Sequence, residues 1–188
     1  MIEAKTETAS QAFEALFKRK LQQILVHMAE SDGLGKFMSD NNDVLCKLFN
    51  ADRFTLYLAS EDKANIVAKM KNGTQSSDLR LPISSQSIAG YVAASQQTVN
   101  IADVYDAQGL KRIHPDLTFL SAVDKRTGFR TREMLVTPIV HGDVLYGVVQ
   151  VINNKNSQAF GHLEEQGARD LSKGLASILS RRLKGSKA

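Results

Sequence analysis

The chain has 188 residues, 24 of them Lys or Arg and 20 Asp or Glu, with a formal net charge of +4 and a pI near 9.2. That length suits one domain of the usual ~100–200 residues and leaves no room for a second, while 43% hydrophobic and 23% charged residues exclude a disordered or collagenous chain. No apolar run approaches the ~18 residues that span a bilayer, and the positive excess is scattered without interleaved aromatics, so neither a membrane nor nucleic acid is the expected partner.

Residues 10–30 carry Phe13, Leu16, Phe17, Leu21, Ile24, Leu25 and Met28 at three- and four-residue spacing, the face of an amphipathic helix. The Ser31-Asp-Gly-Leu-Gly35 stretch breaks it. A second helix follows with Phe37, Met38, Val44, Leu45, Leu48 and Phe49 and ends near Asn50. The period then shortens to two: 54–58 and 65–70 read as an antiparallel hairpin, 79–83 as a third strand, 85–96 as a short helix and 98–101 as a small strand. Residues 103–132 are long, polar and without strong periodicity, which in a compact domain points to a functional lid. Residues 133–140 and 144–152 give the strongest strand signals, joined by a turn at His141-Gly-Asp143. A last helix runs from about 161 to 183. The expected architecture is an α+β domain, a mostly antiparallel sheet with helices on one face and a loop-covered opposite face.

Two segments have the composition of a binding site. Ser84-Ser-Gln-Ser-Ile-Ala-Gly90 opens a helix with hydroxyl caps, free first-turn amides and small residues, a place that receives anions, though an ordinary capped helix reads the same way. Asp124-Lys-Arg-Thr-Gly-Phe-Arg-Thr-Arg132 gathers an acid, two threonines and four basic groups around a glycine. That composition suits both the polar edge of a base and a phosphate, and equally a solvated loop.

No enzyme is expected. The one cysteine, Cys46, excludes an internal disulfide and a Cys-rich zinc site, agrees with a reducing, cytoplasmic setting, and sits among Val44, Leu45 and Leu48 as core packing. His27, His114, His141 and His162 are spread along the chain with no metal-ligand spacing, and no phosphate-binding loop, nucleophile elbow or His-Glu-x-x-His pair occurs. No cofactor or metal is expected.

Ser87-Ile-Ala-Gly-Tyr-Val92, Val99-Asn-Ile-Ala-Asp103, the run 123–132 followed by Leu135 and Thr137-Pro-Ile139, and residues 147–153 together closely resemble a GAF domain, over roughly residues 34–183. The regulatory GAF domains of cyclic-nucleotide phosphodiesterases and cyanobacterial adenylyl cyclases are the nearest in pattern. The resemblance implies a GAF/PAS-like six-stranded antiparallel sheet whose loop-covered face holds a small anionic ligand, with cyclic AMP and cyclic GMP as the family's examples. It divides the chain into an N-terminal amphipathic helix (1–33), the GAF domain (34–183) and a basic tail (184–188). Carried over by position, it implies that Ile88 and Ala89 face the phosphate. Asp124, Thr127 and Thr131 then face the ligand from the lid, Thr55 and Gln150 form a polar floor, and Asn72 reads the base edge. Lys71 stands where cyclic-GMP binders carry an aromatic. The family's structural lid signature corresponds to Asn153, Lys155, Phe160 and Glu164, with Lys155 one place late and Glu164 in place of an aspartate.

Such a domain is expected to signal to the output domain of a longer parent chain through its terminal helices. Apolar stripes on 10–30 and 161–183 leave two arrangements open: a homodimer through these helices, or stripes filled within one chain. The alternative function is a ligand-free dimerisation or docking module of a signalling or secretion-type ATPase protein.

Overall fold

In the computed structural model, which describes residues 2–31, 33–72 and 75–185, the chain forms a single six-stranded sheet buried on both faces. The elements run α1 (Ile2–Glu30), α2 (Leu34–Leu48), β1 (Ala51–Ala59), β2 (Asn65–Asn72), β3 (Gln75–Pro82), α3 (Ile88–Ser95), β4 (Val99–Ile101), α4 (Ala107–Ile113), α5 (Ala122–Thr127), β5 (Met134–His141), β6 (Val144–Asn154) and α6 (His162–Gly185). The sheet order is β3-β2-β1-β6-β5-β4, every pairing antiparallel.

Period-two alternation sorts the strand side chains between two cores. Phe54, Leu135, Ile139, Val149 and Val151 face α1, α2 and α6, where Phe17, Met28, Phe49, Leu171 and Leu175 complete one apolar cluster. Tyr57, Ile66, Leu81, Val136, Val148 and Ile152 face the other way and pack on Ile88, Val92, Leu110 and Leu117. Because both faces are covered, β5 and β6 read as continuous apolar runs. The two-residue turn between them holds Gly142 at φ +59, a conformation glycine adopts without strain. Gly147 lies so close to β1 that a Cβ there would strike the Tyr57 carbonyl.

The largest departures from the sequence expectation fall in two stretches. Helix α1 begins at Ile2 rather than residue 10, because residues 2–9 have little apolar periodicity but include good helix formers such as Glu, Ala and Lys. The 103–132 segment is not irregular throughout. It contains α4, capped by the Asp106 carboxylate on the Gln108 and Gly109 amides, and α5, closed by Gly128 at φ +69. Seven and six residues are too few to register as a helical period.

The terminal helices form one unit. Gly167 and Gly174 on α6 sit directly under Phe17 and Leu25 of α1, and Arg182 donates to the carbonyls of Met28 (2.9 Å) and Ser31 (2.7 Å). No helix among the described residues is long and apolar enough to cross a membrane.

Candidate functional site

The face opposite α1, α2 and α6 carries a cavity of about 80 Å³, floored by Arg53, Thr55 and Tyr57 of β1 and Gln150 and Ile152 of β6. Leu79 and Leu81 wall one side, Ser87, Ile88 and Ala89 one end, and Phe119, Leu120, Val123, Asp124 and Thr131 the roof. The floor follows from register: Thr55 pairs directly with Gln150, so alternation on β1 sends Arg53, Thr55 and Tyr57 to the same side.

The end wall is the start of α3. Ser87 caps it, its hydroxyl accepting from the Gly90 amide at 3.0 Å, which leaves the Ile88 and Ala89 amides without helical acceptors. Both residues are buried and line the cavity, so the first turn of α3, with its two orphan donors and the positive end of the helix dipole, forms this wall. Gly90 is dictated by the approach of the preceding loop: a Cβ there would meet the Pro82 carbonyl and lie 2.7 Å from the Ser84 carbonyl.

The roof is organised around Asp124. Its buried carboxylate accepts from the Thr131 amide (2.8 Å), the Thr131 hydroxyl (2.7 Å) and the Tyr105 hydroxyl (2.9 Å). Tyr105 meets Phe119 edge-on at 5.1 Å and carries the Arg130 guanidinium 3.5 Å above its ring. Desolvation, with the Asp124 carboxylate beside it, raises the Tyr105 phenol above its ordinary value. The roof is tied to the α3 loop where Thr118 bonds the Ser85 and Gln86 carbonyls.

Of the positions expected from sequence, Thr55, Ile88, Ala89, Asp124, Thr131 and Gln150 come together around this cavity. Thr127 does not line it: its hydroxyl donates to the Val123 carbonyl within α5, at 2.8 Å. Lys71 and Asn72 close strand β2, and their side chains lie outside those described.

The lid signature splits into separate ties. Asn153, buried at φ +56, accepts from the Arg132 amide (2.8 Å) and donates to the Arg130 carbonyl (2.9 Å), while its own amide bonds the Glu133 carbonyl. Phe160 packs in the helix-side core. Lys155 is exposed and Glu164 half-buried, and no ion pair joins them. The other root of the lid is instead held by Asn100 of β4, which donates to the Phe160 carbonyl (2.7 Å) and to Glu165 (3.2 Å). The hydrogen bond from Arg169 holds the Glu165 carboxyl below its ordinary range.

Sequence reasoning did not single out Asn100, Tyr105 or Arg53. A signal existed for two of them. Asn100 is the polar centre of the apolar strand Val99-Asn-Ile101, and Arg53 shares the alternate positions of Thr55 and Tyr57.

Burial pushes the Tyr57 phenol up to about 12, and its hydrogen bond with Gln150 opposes this only in part. A raised phenol favours the protonated, folded state, so this stabilisation is complete below pH ~10 and is lost as pH rises from 10 to 12, when the unfolded chain ionises first. Denaturant unfolding is expected to show a fall of roughly 2–3 kcal/mol across that window that is absent from Tyr57→Phe, the difference between the two proteins removing the lysine titrations.

Cys46 is half-buried on α2, its thiol pushed up by burial, on the sheet face opposite the cavity. Among the described residues no three His, Cys, Asp or Glu side chains converge on a point that could hold a metal.

Comparison with known proteins agrees with this geometry. A family model, the GAF domain, matches residues 43–179. The cGMP-specific 3',5'-cyclic phosphodiesterase of Drosophila erecta is 33% identical over 141 residues, covering 63% of this chain and 12% of that protein. The probable 3',5'-cyclic phosphodiesterase pde-5 of Caenorhabditis elegans is 30% identical over 131 residues, covering 63% of this chain and 16% of that protein. The match thus spans no more than 16% of the length of these relatives. Among solved structures, the GAF domain from a phosphoenolpyruvate-protein phosphotransferase of Coxiella burnetii superposes with a TM-score of 0.72 at 21% identity, covering 92% of this chain and 98% of that one. At that identity the likeness concerns the fold.

Proposed function

The chain belongs to the GAF domain family, and from that premise we propose that it is a sensory module whose roofed cavity binds a small anionic ligand, a cyclic nucleotide, and passes the event to an output domain. One observation carries the reading: Ile88 and Ala89, whose amides are the free first donors of α3, line a cavity with a polar floor at Thr55 and Gln150. The phosphodiesterase relatives act on cyclic nucleotides, which supports that ligand class.

A cavity of about 80 Å³ is well below the ~300 Å³ at which sites for drug-sized ligands begin. A nucleotide needs more room than that, and outward movement of the roof would supply it. Both roots of the roof are tied to the rest of the fold: Asn153 joins Arg130 and Arg132 to β6, and Asn100 joins β4 to Phe160 and α6. A ligand that prefers one roof position shifts the population of these ties, and with it α6 and the α1 locked against it.

Calorimetric titration with cyclic AMP and cyclic GMP tests this. Saturable binding of either, with a melting temperature that climbs with ligand concentration, is the expected result. No heat and no shift at millimolar ligand would remove the nucleotide reading.

A second reading has its own observation. Residues 11–16 of α1 are all exposed, with Phe13 59% and Leu16 47% accessible, and a helix unsupported by packing is only marginally stable in water. A homodimer through α1 would cover them. Sedimentation that shows a concentration-dependent dimer, together with absent ligand binding, would make the chain a ligand-free dimerisation module.

A further inference from the structure

Two buried oxygens at the root of the lid accept no hydrogen bond from the described residues: Oε2 of Glu133 and Oδ1 of Asn100. Glu133 is only 4% exposed, and a carboxylate buried to that degree is ordinarily paired or bound to a metal. Among the described residues its one ion-pair contact is Arg132, whose Nε stands 3.8 Å from Oε2 on a side chain that is 49% exposed. That distance is beyond hydrogen-bond range. Orphaned acceptors in a buried place call for a donor or a cation.

Register sets the two residues on one face of the sheet. Asn100 stands opposite Leu135, and the Asn153 amide bonds the Glu133 carbonyl at 2.9 Å, which carries the β5–β6 ladder one residue past Met134. Alternation then turns Glu133 to the same side as Leu135, the side packed on the terminal helices. Glu133 and Asn100 are thus diagonal neighbours, a spacing that long side chains span. The Asn100 amide nitrogen donates to the Phe160 carbonyl (2.7 Å) and to Oε2 of Glu165 (3.2 Å), so both oxygens adjoin the amide whose own oxygen is orphaned. Arg169 takes the other Glu165 oxygen at 2.6 Å. The lid root therefore gathers oxygens from four segments: β4, the start of β5, the connection that ends at Phe160, and α6.

We infer that Glu133 and Asn100 hold an alkali-metal cation, sodium or potassium, beside the Phe160 carbonyl and Glu165. The donor set selects the class. All the donors are hard oxygens, which disfavours thiophilic metals. Calcium gathers six to eight oxygens and several carboxylate charges, whereas here Glu165 is already neutralised by Arg169 and only Glu133 is uncommitted. A bridging water satisfies both acceptors but leaves the Glu133 charge uncompensated. A bound cation ties β4 and the start of β5 to α6, so closure of the lid depends on the ion, whatever ligand the cavity takes.

The test is thermal unfolding of the full chain in sodium, potassium and choline chloride at equal ionic strength with a chelator present, and in parallel samples with calcium or magnesium. A saturable rise of about 3 °C or more at about 0.1 M sodium or potassium, relative to choline, is expected. Glu133→Gln removes the charge and supplies an amide donor for Asn100 Oδ1, so its melting temperature should agree across the three salts to within about 1 °C. Amide exchange of the unsubstituted chain gives a readout that does not depend on the variant folding. The Val104 and Asn153 amides, which bond the Arg132 and Glu133 carbonyls, should exchange severalfold more slowly in the favoured salt than in choline. Equal melting temperatures in the three salts, a response confined to calcium or magnesium, or an alkali response that survives Glu133→Gln would overturn the inference. The nucleotide reading would stand after any of these, since its cavity lies on the opposite face of the sheet.

Discussion

Gly90→Ala is expected to lower folding stability by about 3 kcal/mol or more, a large effect for a single methyl group. The added Cβ would meet the Pro82 carbonyl, lie 2.7 Å from the Ser84 carbonyl and 2.8 Å from the Ser87 hydroxyl. Two of these three are backbone atoms of the loop that leads from β3 into α3, so no rotamer relieves the clash. The Ser87 hydroxyl is the helix cap itself, and a shift there loosens the turn that aims the Ile88 and Ala89 amides. Urea denaturation gives the stability change, and ligand titration should show affinity lost beyond what the unfolded fraction explains. Near-neutral stability would mean that the β3–α3 loop stands further from the helix than described.

Asp124→Ala is expected to cost about 3–5 kcal/mol, since hydrogen bonds to a charged acceptor contribute ~1.5–3 kcal/mol each, are not additive, and leave buried donors unpaired when the acceptor goes. Three donors depend on this carboxylate: the Thr131 amide, the Thr131 hydroxyl and the Tyr105 hydroxyl. They join the start, middle and end of the roof, so the change should raise amide hydrogen exchange across 103–132 more than in the central strands. Asp124→Asn keeps one acceptor oxygen and is expected to lose about half as much. Protection of the roof equal to that of the unsubstituted chain would show that another contact holds it closed.

These two substitutions separate what was legible in the sequence from what was not. The strands, the helix at 85–96 and the terminal helices follow from periodicity, because long segments repeat their burial pattern several times. The start of a helix at Ser87–Gly90 was legible from local chemistry, a hydroxyl cap followed by small residues, but a use for that turn in binding was not, since an ordinary capped helix reads the same way. The roles within the roof were not. Asp124, Thr127 and Thr131 are alike in composition as ligand-facing polar groups, yet Asp124 and Thr131 bond each other and Thr127 bonds its own helix. Which polar group meets which is decided by the path of a thirty-residue connection, and no period encodes that path. The same holds for the lid ties. The acid–base pair implied by resemblance would fall on Lys155 and Glu164, but the chain turns at Asn153 with positive φ and sends Lys155 outward, and Asn100 with Glu165 joins the lid root to α6.

The central claim is that the Ile88 and Ala89 amides receive the anionic group of a small ligand. Amide chemical shifts of the isotope-labelled chain, followed during titration with cyclic GMP and cyclic AMP, test it most directly. The account predicts saturable downfield movement of the Ile88 and Ala89 amide protons, the largest in the chain for backbone outside the roof. Saturable binding that leaves those two amides in place while others move would contradict it.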